Sequence, residues 1–571
     1  MRAGIGSMVA VRWVTLRAAC ACAAGLAAAA GLAFGCARRP APAPSPPPAA
    51  ARPSAVAAAR TPSADPQPWA LEIGAPGQFS LYAMKLDLTG AVWLAGTASS
   101  RAVPGAARVS EYGPAGAQDY FIARVTAAGR LMWLAFVGGS GEELPGPSLQ
   151  VDGGCFATIA GATESVDFPV TPGAFGPRLA GLRDAVVCRL GPDGSRLEYA
   201  TYLGGSGSDY GPSTALGPDG SITLAGSTES GDFPVTLPGR PDHVNTQADV
   251  YAVRLDIRGH VVYSCILSGE TDDGDRSDGL AVAPDGSAYI VGHTWSADFP
   301  AVRFGGRLGG FCDGFIVRLD GAGRLIGGRF LGGENCDMAA RVALDAAGSP
   351  TVLGGTLSLD LPVTPGAYQP RFGGGGNRNV ASMQLGDLFL CRFTPDLGRT
   401  DYATYLGGPL TEDAMHGSDL VAMPDGRTMV LTQLPATGPP QTPGQGVRTL
   451  TAAVDRDGRT DGVMLYPMLL GVRLVADPFA PSGNVALLQP AGATGRAYPL
   501  RRLPARAASR ARIQIRSLAD PSLRFDEPMQ SVITPVTPEF ALLATSAPPP
   551  GTALPNTRLR LRVALCRMSG P

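Results

Sequence analysis

The chain reads as an all-β protein, a β-propeller of seven four-stranded blades preceded by an export signal and a disordered linker. Two observations predict this fold. A Tyr-x-Thr-Tyr-Leu-Gly-Gly stretch at 199–205 returns at 402–408, with looser copies at 330–333 and 137–139. An Asp opening a short apolar run that ends in Arg recurs at Asp119, Asp184, Asp249, Asp313 and Asp387, at separations of 65, 65, 64 and 74 residues. A fixed period of this size marks an array or a propeller and precedes any reading of single motifs.

The N-terminus carries an address. Arg2, Arg12 and Arg17 form a positive start, and Ala18 to Phe34 is an uncharged run ending in small residues before Cys36. That run is short and alanine-rich for a spanning helix. Ala33-Phe34-Gly35-Cys36 resembles the lipobox of bacterial lipoproteins, with Leu32 one place earlier than that pattern prefers. The resemblance implies lipidation at Cys36, with ordinary secretion or a signal anchor as the alternatives. Ala37 after the cysteine then implies the outer membrane or cell surface, in a host that has one. Residues 37–68 are Pro/Ala-rich, cannot build a core, and read as an extended tether between signal (1–36) and propeller (69–571).

Each repeat reads as two hairpins. In the third copy, Ser213 to Leu216 turns at Pro218-Asp219-Gly220 into Ser221 to Ala225. After about twenty loop residues, Val250 to Leu255 turns at Ile257-Arg258-Gly259 into Val261 to Leu267. Pro presets φ and Gly accepts positive φ at such turns. Four strands without helical periodicity, repeated radially, make a propeller blade. The blades are expected at roughly 69–140, 141–205, 206–269, 270–333, 334–408 and 409–468, with 469–571 a degenerate closing blade.

These motifs resemble the bacterial seven-bladed β-propeller repeat family labelled SBBP. The residues that carry the resemblance are Tyr202 to Asp209, Asp167-Phe168-Pro169-Val170-Thr171-Pro172-Gly173-Ala174-Phe175 and Thr364 to Tyr368. It covers about 130–445 well, and it implies a scaffold without an assigned chemistry.

Turns of an antiparallel blade alternate between two faces, so the long loops (97–118, 162–183, 227–248, 293–312, 356–386) share one face with the Gly-Gly connections. Binding residues concentrate on long loops held by a rigid scaffold. On that face an acid recurs at one repeat position: Glu143, Asp209, Asp273, Asp337, and Glu412 or Asp413. Two readings stand: a ring of carboxylates drawing cations such as Ca²⁺ or a polar ligand, and acids that each cap a local turn. The acidic run 270–278 fails as an EF-hand, because Pro284 stands where a bidentate Glu belongs. None of the four histidines has zinc spacing, and no GxSxG elbow, SxxK or Walker loop occurs. Tyr210, Trp295 and Tyr368 are candidates for stacking on sugars or packing between blades.

Three of the ten cysteines lie at 20, 22 and 36. The other seven leave at least one unpaired within the chain, and Cys312 with Cys336 is the pair expected to bond. Near-balanced charge, −1 overall, excludes nucleic acid as the partner. The expected function is a non-catalytic binding or scaffolding module for an envelope protein or polysaccharide. The alternative is a lyase or hydrolase working in the central channel with Glu412, Asp413 and His416.

Overall fold

The computed structural model describes residues 69–73 and most of 78–467, apart from 238–247, 270–275, 375–385, 408–418, 423–426, 435–447 and a few single positions. Beyond 467 it describes only strand segments. The unit Met1–Ala64, with Cys36, lies outside the described residues, and everything below concerns the unit Asp65–Pro571.

The described residues build six antiparallel blades. Blade 1 uses Phe79–Leu86, Val92–Ala98, Asp119–Val125 and Leu131–Val137, with Val109–Tyr112 added parallel to the outer strand. Blade 2 is Ser148–Val151, Ala157–Thr163, Asp184–Leu190 and Leu197–Leu203; blade 3 is Ser213–Leu216, Ile222–Thr228, Asp249–Leu255 and Val261–Leu267. Blade 4 is Arg276–Val282, Ala288–Thr294, Asp313–Leu319 and Leu325–Leu331; blade 5 is Asp337–Leu344, Pro350–Thr356, Asp387–Phe393 and Thr400–Leu406. Blade 6 is Asp419–Ala422, Thr428–Leu434, Arg448–Val454 and Thr460–Pro467.

First strands of successive blades touch, so the blades stand face against face in order. Residues 469–571, expected as one degenerate blade, hold the two-stranded pair Val475–Ala476/Val485–Ala486 and a larger closing sheet. In that sheet Gln530–Thr537, Phe540–Ala547 and Arg560–Ser569 run side by side, and Trp69–Ile73 pairs with the last of them. Gln530–Thr537 lies against Phe79–Leu86 of blade 1, so the sequence of sheets returns to its own beginning. The chain is a β-propeller.

Packing explains the strand sequences. Second strands such as Ala157–Thr163 and Pro350–Thr356 are buried along their whole length, because both faces meet a neighbouring blade. Their core is therefore interblade: Trp93 and Tyr120 of blade 1 pack with Leu149, Ile159 and Val186 of blade 2. Full burial of one such side chain contributes about 1.5–3 kcal/mol. The aromatic at the third place of the outer strand covers the turn glycine of the next blade, as Tyr199 covers Gly259. A β-carbon on Gly259 would sit 2.5 Å from Tyr199 Cγ, and its φ of +85° also requires glycine. Blade 4 breaks this rule. It has Gly327 where the aromatic belongs, and the next turn carries buried Leu397 at φ +58° where other turns have glycine. Leu397 Cδ1 lies 3.4 Å from the position of a β-carbon on Gly327, so the leucine fills the space the missing ring leaves.

The recurring Arg also finds its reason. Arg124, Arg254, Arg318 and Arg392 bind Asp87, Asp219, Asp285 and Asp345 of their own blade's first turn at 2.6, 2.9, 2.6 and 2.5 Å. Arg189 binds Asp152 in the same way. The third strand is thereby latched to the first hairpin at the tight-turn face. Blade 6 has Ala453 at that place and lacks the arginine.

Candidate functional site

At the other end of the blades, the long-loop face is built from one recurring clasp between neighbours. Between blades 4 and 5, Asp313 opens the third strand of blade 4 and Asp337 opens blade 5. Gly332-Gly333 connects the two blades between them. Asp337 Oδ2 accepts from Gly333 N–H at 2.8 Å and from the Ser358 hydroxyl at 2.7 Å. Asp360, of the Leu359-Asp360-Leu361 loop, accepts from Glu334 N–H at 2.9 Å. A β-carbon on Gly332 would sit 2.6 Å from Asp313 Oδ1 and 2.7 Å from Asp337 Oδ2, so only glycine passes between the two carboxyls.

The clasp between blades 2 and 3 repeats this arrangement. Asp209 Oδ2 accepts from Gly205 N–H and the Ser230 hydroxyl, each at 2.8 Å. Asp232 caps Ser206 N–H at 2.7 Å, and Gly204 separates Asp184 from Asp209. Between blades 1 and 2, Glu143 Oε1 accepts from Thr163, Ser165 and Gly139 N–H, and Asp167 caps Ser140 N–H. This clasp alone of the three contains a cation: Arg101 Nε donates to Asp119 Oδ2 at 2.7 Å. The strand-end tyrosines lock each loop to its own blade. Tyr202 O–H accepts from Phe168 N–H and donates to the Ser165 carbonyl, and Tyr405 does the same with Leu361 and Ser358.

Glu143, Asp209 and Asp337 are fully buried, and each keeps one carboxylate oxygen without a hydrogen-bond partner. Burial is the largest influence on all three. It pushes Glu143 up to about 7 and Asp337 to about 6, and raises Asp209. Their strand-opening partners follow: burial drives Asp313 to about 7 and Asp184 to about 6, with the facing acid adding repulsion. Asp387, which accepts from Gly373 N–H, Gly374 N–H and the Gln369 amide, is raised to about 6.

The acidic positions at Glu143, Asp209 and Asp337 thus sit inside three separate junctions, where each caps its Gly-Gly connection. These three form no solvent-facing ring, because the Thr-x-Ser hydroxyls at the end of the same blade's second strand close over them. Asp273, Glu412, Asp413 and His416 lie outside the described residues. Among the described residues no three His, Cys, Asp or Glu side chains converge as a metal site. Cys312 and Cys336 are disulfide-bonded, as the sequence leads one to expect. The bond reinforces a backbone bridge between the same two residues, which the other clasps have without it at Gln118–Glu142 and Arg183–Ser208. The hydroxyl partners were missed, although Thr163-Glu164-Ser165, Thr228-Glu229-Ser230 and Thr356-Leu357-Ser358 recur two places before each capping Asp.

Among the residues the clasps leave exposed are several large apolar ones. Leu182 and Val166, at the two ends of blade 2's long loop, are 79% and 72% exposed. Glu164 and Arg183 tie those ends together with a 2.7 Å ion pair, and the Arg183 guanidinium sits 5.7 Å from the ring centre of exposed Tyr210. Phe311, Leu359 and Tyr368 continue the exposed apolar character in blades 4 and 5, while Trp295 is half-buried against His293.

Fold and site together define a β-propeller whose blades are clasped at one face by buried carboxyls and which presents apolar side chains there. No protein-family model and no curated protein sequence matches the chain. Among solved structures it is similar to the polysaccharide lyase Uly1, at 9% identity and a TM-score of 0.35, over 74% of this chain and 90% of that one. It is also similar to the Penicillium chrysogenum α-L-arabinanase solved with arabinobiose, at 11% identity and 0.32, over 62% and 92%. A third is BamB of Moraxella catarrhalis, at 10% identity and 0.29, over 72% and 97%. Likeness this loose assigns no activity, and the fold rests on the strands and sheet contacts described above.

Proposed function

We propose that the protein is a non-catalytic binding or scaffolding module of the cell envelope, engaging a protein or polysaccharide through its long-loop face. The carrying observation is the exposure of Leu182 (79%) and Val166 (72%), one at each end of blade 2's long loop, where the Glu164–Arg183 ion pair ties those ends together. Large apolar groups grouped and rimmed by charge mark an interaction surface, and here they favour a protein partner. The clasps beneath them supply the rigidity that presents such a surface.

The test is co-purification from envelope extracts with wild-type protein and with Val166→Glu/Leu182→Glu. The double variant is expected to keep its melting temperature and lose its partner. Capture of the same partners by both proteins would refute this face as the interface. The proposal includes lipidation at Cys36: Cys36→Ser should move the protein from the membrane fraction to the soluble one, and unchanged partitioning would remove the anchor.

A further inference from the structure

The three clasps described above share one design and differ in what locks it. Each sets two buried carboxyls about a connection glycine: Asp119 and Glu143 at Gly138, Asp184 and Asp209 at Gly204, Asp313 and Asp337 at Gly332. Between blades 1 and 2 the lock is a cation. Arg101 donates to the two oxygens of Asp119 at 2.7 and 3.0 Å and to the Gly113 carbonyl at 2.7 Å. Between blades 4 and 5 the lock is covalent, the Cys312–Cys336 disulfide. Between blades 2 and 3 neither is found among the described residues. Arg183 and Ser208 stand at the disulfide's two positions there, joined by a backbone bridge.

That unlocked junction holds the end of blade 2's long loop. Asp184 accepts from Ala180 N–H at 2.9 Å and Gly181 N–H at 3.3 Å, the two residues before exposed Leu182. A β-carbon on Gly204 would sit 2.6 Å from Asp184 Oδ1 and 2.5 Å from Asp209 Oδ2, so the two acids face each other across bare backbone. The groups packed around the pair bring no positive charge. Asp232, from the loop after blade 3's second strand, adds a third carboxyl. Tyr202 of blade 2's outer strand and Tyr251 of blade 3's third strand contribute phenols, and Thr228 and Ser230 contribute neutral hydroxyls. Arg183, next to Asp184 in the chain, is engaged by Glu164 at 2.7 Å. Two ionised carboxyls in such a place repel, and one proton relieves both the repulsion and the cost of burial. Burial pushes Asp184 up to about 6 and raises Asp209.

We infer that the junction of blades 2 and 3 is a proton-operated hinge, shut while Asp184 and Asp209 hold a proton between them and opened by its loss, which frees the loop end that carries Leu182. The closed state binds this proton more tightly than the open one, so closure is favoured in acid and is lost as pH rises through about 6. The other two junctions stay shut under Arg101 and the disulfide. The hinge regulates the surface proposed above and rests on that reading for its consequence, whereas the opening itself needs no partner.

The test is hydrogen–deuterium exchange followed by mass spectrometry at pH 4.5 and pH 8, corrected for intrinsic exchange, on the full chain without any partner. Protection of residues 203–210 is expected to fall by about tenfold or more at the higher pH. The matching segments 137–144 and 331–338 should change by less than about threefold, and the buried strand Ala157–Thr163 should stay protected, which separates local opening from unfolding. Arg183→Cys/Ser208→Cys places a disulfide where blades 4 and 5 have theirs and should abolish the fall. Asp184→Asn removes a titrating group without a crosslink and should flatten it. No fall at 203–210, an equal fall in all three segments, or a fall that survives in the crosslinked variant would each overturn the hinge. Because no partner is present, such a failure is distinct from failure of the proposed interface.

Discussion

The two ends of the blades treat their recurring aspartates in opposite ways. At the tight-turn end, an arginine from the third strand meets the turn Asp. Asp87, Asp219, Asp285 and Asp345 are held below the usual carboxylate range, because turn hydrogen bonds and the guanidinium outweigh desolvation. At the long-loop end, acid faces acid across a glycine. Only the first described clasp receives an arginine, and burial prevails even there, with Glu143 raised as are Asp184, Asp313 and Asp337 in the others. One end is an ion-pair latch within a blade. The other is a hydroxyl-lined carboxyl clasp between blades.

The largest effect tests the latch. Arg392→Leu leaves Asp345 buried without its cation, and about 3–5 kcal/mol of stability should be lost at pH 7 by denaturant unfolding. A loss under 1 kcal/mol would make the pair incidental. Next comes the disulfided clasp. Cys312→Ser/Cys336→Ser opens a covalent loop with a sequence separation of 24, which should cost about 3 kcal/mol. Third is the compensated junction of blades 4 and 5. Leu397→Ala should cost about 2–3 kcal/mol through the cavity it leaves. Gly327→Tyr/Leu397→Gly, which restores the pattern of the other blades, should recover more stability than the two single changes predict together.

The smallest effect separates the two ends by pH. Clasp carboxyls bind protons more tightly folded than unfolded, so their contribution is complete below about pH 4 and is lost as pH rises through 6 to 7. Latch carboxyls run the other way: their contribution is present above about pH 4 and is lost as pH falls below it. Stability measured by thermal unfolding should therefore rise from pH 8 to about pH 5 and fall in stronger acid. Asp337→Asn removes one titrating group and should flatten the first limb by on the order of 1 kcal/mol. An unchanged limb would place the titration elsewhere.

Much of the architecture was legible because turn chemistry and strand spacing are local. Pro-Asp-Gly at 218–220 and the apolar run at 249–255 sit where hairpins must, whatever surrounds them. The site was less legible because its meaning depends on partners some twenty residues away. Asp337 alone reads as an exposed acid. Its burial becomes visible only when Thr356 and Ser358, at the far end of its own hairpin, fold over it. Arg392 and Asp345 likewise lie 47 residues apart, so nothing in the sequence links the two recurring markers although they form one contact. The exchange of Gly327 and Leu397 departs from the repeat at two distant positions that look unrelated until their blades pack.

The pairing of Trp69–Ile73 with Leu561–Leu565 has a consequence for biogenesis. The strand that leaves a ribosome or a translocon early waits for nearly the last one before the closing sheet exists. Contacts so distant in sequence form slowly. A truncated or stalled chain would keep the edge of Trp69–Ile73 unpaired, and such edges invite aggregation or proteolysis. Exposure of that edge would therefore report whether the strand around Leu561–Leu565 has docked.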